Sequence, residues 1–289
     1  MIFEYFFDPK LLNKEPHMFM LIGFLYSSVA MTVSYITFRE HSALLMVFLT
    51  VLALAPIIYQ SIKHEEYEDL VLEDEKAILK EHSKTLKKFM YIFFGMVISF
   101  SLWYSVLPGG SVEQMFGAQL DTINRINEHV SIEGISGNVV MERFPVMMTI
   151  LMNNIGVLIA SIIFSLLFGF GAIFILSWNA SVIGAAMGNI IREGIAEASS
   201  LSGIIRPITY FNVVSYSIMR YAIHGIPEIL AYFVGGLAGG IMFFAIIKHD
   251  TKSKKFNKIL RDSFDLVFIA IGLLVLAAFL EVYVTPALF

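Results

Sequence analysis

Residues 146–191 read VMMTILMNNIGVLIASIIFSLLFGFGAIFILSWNASVIGAAMGNII, and this stretch indicates the architecture of the chain. It contains no Asp, Glu, Lys, Arg or His over 46 residues. One straight helix of that length would measure roughly 69 Å, more than twice the ~30 Å hydrocarbon core of a bilayer. The stretch must therefore break, and the break is expected at Phe168-Gly169-Phe170-Gly171. We predict two membrane helices here, over about 146–167 and 172–191.

The rest of the chain has the same membrane character. Of its 289 residues, 57% are hydrophobic and 15% are charged, and the mean hydropathy is +0.74. Soluble domains carry about 45–50% apolar and about 25% charged residues, so the composition predicts a protein surrounded by membrane lipids. The chain has no cysteine, which excludes disulfides, thiolate metal sites and a cysteine nucleophile. A net charge of -4 gives no general attraction to nucleic acid, and we expect no such partner.

Five further apolar runs are long enough to cross a bilayer, at about 18–38, 43–62, 89–107, 228–247 and 264–285. We therefore predict an all-α, polytopic transmembrane helix bundle with about six or seven membrane segments. Fewer crossings result if the 146–191 pair is re-entrant. The Lys/Arg bias predicts that 63–88 and 248–261 face the cytoplasm, with a cytoplasmic N-terminus and a location in the cell membrane.

The chain is expected to consist of two regions. Residues 1–88 form an N-terminal two-helix membrane region with a charged cytoplasmic helix, and residues 89–289 form the main membrane domain. Amphipathic interfacial helices are expected within 109–145 and 192–226, where apolar residues recur at helical spacing. The aromatic segment 2–7 is either a further interfacial segment or a frayed terminus.

The charged segment 63–88 has acidic residues first and lysines later. Leu72, Leu79 and Leu86 recur every seven residues within it. This pattern predicts one amphipathic helix that extends outside the bilayer. Two functions are open: a solvated link between two spans, or a docking surface for a soluble or membrane protein partner.

Polar side chains at membrane depth cost free energy, so each is expected to have a structural or functional role. Asn153, Asn154 and Asn179 lie inside the 146–191 stretch. They are expected to hydrogen-bond between helices and fix the packing, or alternatively to line a polar cavity that binds an ion.

A face of small residues follows in the next span. Ala231, Gly235 and Gly239 lie four residues apart, and Gly236 and Gly240 repeat this spacing one residue later. Such a smooth face allows close packing of helix backbones. It serves either packing within the chain or the seam of a homodimer, and we expect a homodimer or a close helix pair.

The most distinctive motif is His224-Gly225-Ile226-Pro227-Glu228. Because Pro is tolerated in the first helical turn, Pro227 predicts the start of a helix, with Gly225 relaxing the chain before it. Glu228 would then cap that helix and contact His224 one turn back. The alternatives are proton or cation handling, partner binding, or a metalloenzyme centre with Glu281 as a third ligand. No phosphate loop, nucleophile elbow or dinucleotide-binding glycine run is found, so we expect no enzymatic activity, no metal and no cofactor.

The order of these motifs resembles the SpoIIM family, the stage II sporulation protein M-like integral membrane proteins. The resemblance covers about 89–289, and the region 1–88 is similar to the archaeal branch. The residues that carry it are the 224–229 motif with the glycines after it, Asn153-Asn154, the Gly169–Gly171 break, Asn179 and Gly184. It implies a helical membrane fold and an assembly role, since the founding member is a scaffold that recruits cell-wall hydrolases during engulfment.

Three functions remain open at this point. The first is a non-enzymatic membrane scaffold, favoured by the charged helix and the glycine face. The second is a small-solute or ion transporter or channel, favoured by the broken helices and the buried Asn, His and Glu residues. The third, an intramembrane enzyme, depends only on His224 and Glu228. A dry, packed interior favours the first, and a wet cavity beside His224 and Glu228 favours the second.

Overall fold

The computed structural model describes residues 17–72, 75–133, 143–199, 205–248 and 252–288. The main helices are α1 Met18–Thr37, α2 Ser42–Val71, α3 Glu75–Val106, α4 Gly109–Glu133, α5 Arg143–Phe168, α6 Ala172–Ser199, α7 Ile205–Lys248 and α8 Lys254–Phe279. A 3-10 turn, Arg39–His41, joins α1 to α2. A π-helical turn, Leu280–Val284, follows α8 and leads into the short α9, Thr285–Leu288.

Seven of these helices, all but α4 and α9, are long and apolar enough to cross a membrane. The predicted helical membrane bundle is therefore confirmed. Large apolar side chains such as Val29, Ile163 and Phe268 remain exposed on its outside, as expected for side chains that face lipid. The aromatic segment 2–7 lies outside the described residues.

The predicted break of the central stretch is confirmed. Helix α5 ends at Phe168, and Gly169 has a φ of 77°, in the left-handed region that favours glycine. A Cβ at Gly171 would lie 2.2 Å from the carbonyl oxygen of Phe164, so this position also requires glycine. The hydroxyl of Ser165 accepts a hydrogen bond from the backbone N–H of Ala172 at 2.9 Å, which stabilises the turn.

The segment 63–88 forms two helical arms, and the prediction of one helix there is wrong. Helix α2 continues through the charged residues to Val71, and α3 begins at Glu75. The physical reason is that the spans on either side run in opposite directions, so the chain has to reverse between them. We call residues 63–72 and 75–88 the charged hairpin.

The glycine face of α7 is a packing surface within the chain. A Cβ added at any of its four glycines would lie within 2.8 Å of an atom of another segment. The contacts pair Gly235 with Leu158, Gly236 with Ala172, Gly239 with Ile162 and Gly240 with Gly169. A dimer seam on this face is therefore the wrong interpretation, because α5 and the start of α6 already cover it. A homodimer would have to use another surface and stays a prediction.

A second close crossing, between α1 and α3, was not predicted from the sequence. A Cβ at Gly23 would lie 2.2 Å from the carbonyl oxygen of Ile92, and one at Gly95 would lie 2.0 Å from that of Met20. Gly23 and Gly95 are each followed four residues later by a buried serine, which is the spacing that could have revealed the crossing. This crossing joins the N-terminal region to the core of the main membrane domain.

Helix α4 confirms the predicted amphipathic pattern after Pro108. Val112, Met115 and Phe116 are buried. The side-chain amide of Gln119 donates to the carbonyl of Ala43 on α2 and to Ser181 on α6, both at 3.1 Å. Helix α4 therefore packs onto two membrane helices through this face.

Candidate functional site

The His224–Glu228 motif lies inside helix α7, which continues from Ile205 to Lys248. The prediction that a helix starts at Pro227 is therefore wrong. Proline in a helix lacks an N–H donor, but neighbouring helices in a membrane bundle can compensate for the freed backbone carbonyl. Gly225 has no heavy atom within 4 Å of the place where a Cβ would lie, so packing alone does not require glycine there.

Glu228 is paired with Tyr232, one turn further along α7. The Tyr232 hydroxyl donates to Glu228 Oε1 at 2.8 Å, and the Tyr232 side chain is fully buried. The expected cap on the N–H groups of a first helical turn does not exist, because residue 228 is in the interior of a helix. Tyr232 is a site residue that sequence reasoning missed, although it follows Glu228 at the i, i+4 spacing of interacting side chains.

The π-helical turn brings a second carboxylate towards this pair. Glu281 lies in that turn, which packs against α7, the helix of Glu228 and Tyr232. Nδ1 of His224 lies 3.3 Å from Oγ1 of Thr285, just after the turn. We call these five residues the Glu228 cluster. Single π turns are frequent at functional sites, which makes the cluster the main candidate site within the membrane domain.

The Glu228 cluster is not arranged as a metal centre. Among the residues that the structure describes, no group of three His, Asp or Glu is placed to hold a metal ion. His224, Glu228 and Glu281 all belong to the described part of the chain. The described geometry therefore does not support the set of three ligands in the metalloenzyme alternative.

Asn153 and Asn154 lie at nearly the same level of the bundle as the cluster. Leu158 of α5 contacts Gly235 of α7 and Ile162 contacts Gly239, so these two helices run parallel. Asn154, four residues before Leu158, is buried and accepts a hydrogen bond from Asn153 at 3.4 Å. By this register it lies at the level of residues 231–232.

The third asparagine has a different position. The Asn179 amide donates to the carbonyl of Ile175 on its own helix, α6, at 3.0 Å. Its predicted role in joining helices is thus replaced by a bond within α6. The structure brings Asn179 together with neither Asn154 nor the Glu228 cluster by any hydrogen bond that it records for these side chains.

A second buried polar site lies in the charged hairpin. Glu65 and His82 are each 2% exposed, and Glu65 Oε2 lies 2.7 Å from His82 Nδ1. The Thr85 hydroxyl donates to the other oxygen of Glu65. Glu65 continues the buried α2 stripe of Ile58 and Ile62 at helical spacing, a signal that predicts its burial.

The hairpin is also tied to the last two membrane helices. Glu66, which is 1% exposed, accepts from Lys248 Nζ at the end of α7 at 2.5 Å. Lys258 Nζ of α8 donates to the carbonyl of Leu72 at 2.6 Å. The lysines of the 248–261 loop thus hold the end of α2 in place, a contact that the sequence pattern could not identify.

The hydroxyl of Tyr232 is expected to contribute measurably to stability. Tyr232→Phe leaves the Glu228 carboxylate without this donor and should lower the free energy of unfolding by about 1–3 kcal/mol. Glu228→Gln keeps an acceptor oxygen and should cost about 1 kcal/mol or less. Thermal unfolding in detergent measures both, with the exposed Tyr67→Phe as a control. Equal stability of Tyr232→Phe and Tyr67→Phe would contradict the assigned hydrogen bond.

Comparison with known proteins identifies the family of the main membrane domain. The family model described as Stage II sporulation protein M matches residues 89–286. No curated protein and no solved structure matches the chain. The matched segment begins in α3 and contains the glycine break, the glycine face and the whole Glu228 cluster. Because the match spans more than half of the chain, this protein belongs to the SpoIIM family of membrane proteins.

Proposed function

We propose that this protein is a non-enzymatic membrane scaffold whose charged hairpin docks a partner protein. The observation that carries the proposal is the anchoring of the hairpin. Its two arms are joined through the buried contact of Glu65 with His82, and α2 is tied to the bundle through Lys248 and Lys258. Breaking buried hydrogen bonds to a carboxylate is costly, so the arms keep a fixed position relative to the membrane helices.

The hairpin also exposes apolar side chains beyond the membrane runs. Tyr67, Val71 and Leu79 are 57%, 54% and 50% exposed. Val71 lies nine residues past Ile62, which corresponds to about 14 Å of helix beyond the apolar run. Exposed aromatic and aliphatic side chains on a rigid polar support are typical of protein-binding surfaces. They support docking over a purely solvated link.

The centre of the bundle supports a scaffold rather than a conduit. The cavity between Ile58, Phe89, Ile173 and Leu237 has a volume of about 10 Å³. A single water needs roughly 10–15 Å³ and several polar partners, and this cavity is lined by apolar side chains. The glycine face beside it is closed by side chains at Gly235 and Gly236 and by backbone carbonyls at Gly239 and Gly240.

We also propose that the charged hairpin lies in the cytoplasm of a cell-membrane protein. The Lys/Arg bias of the loops supports this orientation. Since the chain has no native cysteine, single cysteines can be labelled without background. In sealed cells an impermeant thiol reagent should label Glu113→Cys, at the opposite end of the bundle, and should leave Ser83→Cys unlabelled. Labelling of Ser83→Cys in intact cells would contradict the orientation.

A transporter or channel is the second candidate, favoured by one observation. The Glu228 cluster places two carboxylates, a tyrosine and a histidine between α7 and the π turn that follows α8, with Asn154 near its level. Ionisable groups at membrane depth often mark ion or proton pathways. This function would need a wet path from the cluster through the bundle, along or around the glycine face.

Solute flux distinguishes the two candidates. The purified chain is reconstituted into liposomes, and shrinkage and re-swelling after osmotic shock are followed by light scattering for a series of salts and small neutral solutes. A proton-sensitive dye inside the vesicles reports proton flux. A scaffold gives the rates of protein-free vesicles. Flux that rises with protein content and is lost in Glu228→Gln would contradict the scaffold and establish the second candidate.

A further inference from the structure

A groove opens sideways from the bundle at membrane depth. It has a volume of about 280 Å³ and lies between α1, α3, α6 and α7. Its lining includes Met20, Phe94, Ile98, Met187, Gly225 and Ile229. Met20 and Ile98 are also exposed on the lipid-facing surface, so the groove is open to the hydrocarbon of the bilayer. Apolar cavities of about 150 Å³ stay free of water and already accept hydrocarbon molecules.

Small residues in and just before the 224–229 motif keep this groove open. Gly225 and Ala222 both line it, and nothing lies within 4 Å of the place where a Gly225 Cβ would point. A larger side chain at either position would extend into the groove. The motif glycine, which no packing contact requires, therefore has a role in shaping this space.

A stripe of lysines leads to the groove along α3. Lys80, Lys84 and Lys87 precede Tyr91, Phe94 and Ile98 on one helix face, with steps of four and three residues. Lys80, Lys84 and Lys87 are exposed, and Tyr91, Phe94 and Ile98 line the groove. The same helix face is thus basic outside the membrane run and forms the groove wall inside it.

The lysine nearest the groove is the best placed to bind a headgroup. Lys84 already pairs with Glu81 at 2.5 Å, whereas Lys87 lies one turn from Tyr91, about 6 Å along the helix. Lys88 lies with its Nζ 5.9 Å from the centre of the Phe19 ring, and Phe19 is followed by the groove residue Met20. Two cationic groups therefore lie at the end of an apolar groove that is open to lipid.

We propose that this groove binds one anionic phospholipid, with an acyl chain against Phe94 and Ile98 and the phosphate group at Lys87 and Lys88. Each half of the ligand matches its surroundings, because hydrocarbon fills the dry groove and the phosphate neutralises the lysines. A second copy of the chain, or a partner's membrane helix, would fill the groove without accounting for the lysines beside it.

The test measures lipid binding to the purified full chain in detergent by native mass spectrometry and thermal unfolding. The probes are phosphatidylglycerol and phosphatidylcholine with identical acyl chains, and soluble glycerol phosphate. We expect one saturable site for phosphatidylglycerol, with weaker binding of phosphatidylcholine. Lys87→Gln should weaken the binding of phosphatidylglycerol about fivefold. Lys80→Gln, the same change on the same face about 10 Å further away, should leave it unchanged.

The groove itself is tested by filling it. Ala222→Phe should weaken the binding of both lipids, whereas Ala53→Phe, at an exposed position of α2, should weaken the binding of neither. Equal affinity for the two lipids, equal effects of Lys87→Gln and Lys80→Gln, or tight binding of glycerol phosphate alone would overturn the proposal. A lipid-free dimer that cross-links through a cysteine at Ile98 would also overturn it. If Ala222→Phe does not fold, the two lysine variants still decide the outcome.

Discussion

Gly239→Ala is expected to lower the free energy of unfolding by about 3 kcal/mol, the upper end of the usual cost of overpacking. The added Cβ would lie 2.5 Å from the carbonyl oxygen of Ile162 and 3.1 Å from Cβ of Ser165. The first of these atoms belongs to the backbone of a packed helix, so no change of side-chain rotamer relieves the contact. Helices α5 and α7 would have to move apart along the whole glycine face.

Two other glycines of the bundle serve as matched controls for this variant. At Gly235 the new Cβ meets the end of the Leu158 side chain, which can move, so Gly235→Ala should cost only about 1 kcal/mol. At Gly272 nothing lies within 4 Å, and Gly272→Ala should be neutral or stabilise by up to about 1 kcal/mol. Equilibrium unfolding in mixed detergent micelles measures all three. If Gly239→Ala is as stable as Gly272→Ala, the packing of the glycine face of α7 against α5 is assigned incorrectly.

Glu65→Ala is expected to destabilise the charged hairpin by about 3–5 kcal/mol, because it removes two buried hydrogen-bonding contacts of a carboxylate, each contributing about 1.5–3 kcal/mol. One oxygen of the carboxylate accepts a hydrogen bond from the Thr85 hydroxyl, and the other oxygen lies 2.7 Å from His82 Nδ1. Without it, two buried polar groups lose their shared partner. Hydrogen exchange should then accelerate in both arms, at 63–72 and 75–88, more than in the membrane helices.

Glu68 provides the control on the same helical arm. Its contact with His64 is longer, at 3.7 Å, and the His64 side chain is 63% exposed. Exposed ion pairs contribute about 1 kcal/mol or less, so Glu68→Ala should leave unfolding and exchange nearly unchanged. Equal effects of the two substitutions would show that the burial of Glu65 does not fix the hairpin.

Much of the fold could be predicted because membrane spans and glycine breaks are local signals. The length of an apolar run predicts a crossing, and Gly169 marks the break because, among the residues that the structure describes, it alone has a positive φ. Hydropathy alone predicts a start for α7 that is too late, and it predicts spans that are shorter than the helices α2 and α3. Both errors have the same cause. Helices of this bundle continue past the apolar runs, where tertiary contacts rather than hydropathy stabilise them.

The candidate site could be predicted only in part. His224, Glu228 and Glu281 were identified from residue type, since ionisable groups near membrane depth are rare. Their partners depend on the π turn and on the pairing of α7 with the last helix, and neither feature has a local sequence signal. Likewise, Glu66 and Lys248 are 182 positions apart in the sequence, and only the folded bundle brings them together.

Site-specific photo-crosslinking in native membranes tests the proposed docking role most directly. A photoreactive amino acid is placed at Val71 or Leu79 of the charged hairpin, with the still more exposed, lipid-facing positions Val29 and Phe268 as controls. We expect one discrete protein adduct shared by Val71 and Leu79, absent at the control positions, and lost when Glu65→Ala releases the hairpin. Failure to form any protein adduct at Val71 and Leu79 while the folded protein is present would contradict the scaffold function.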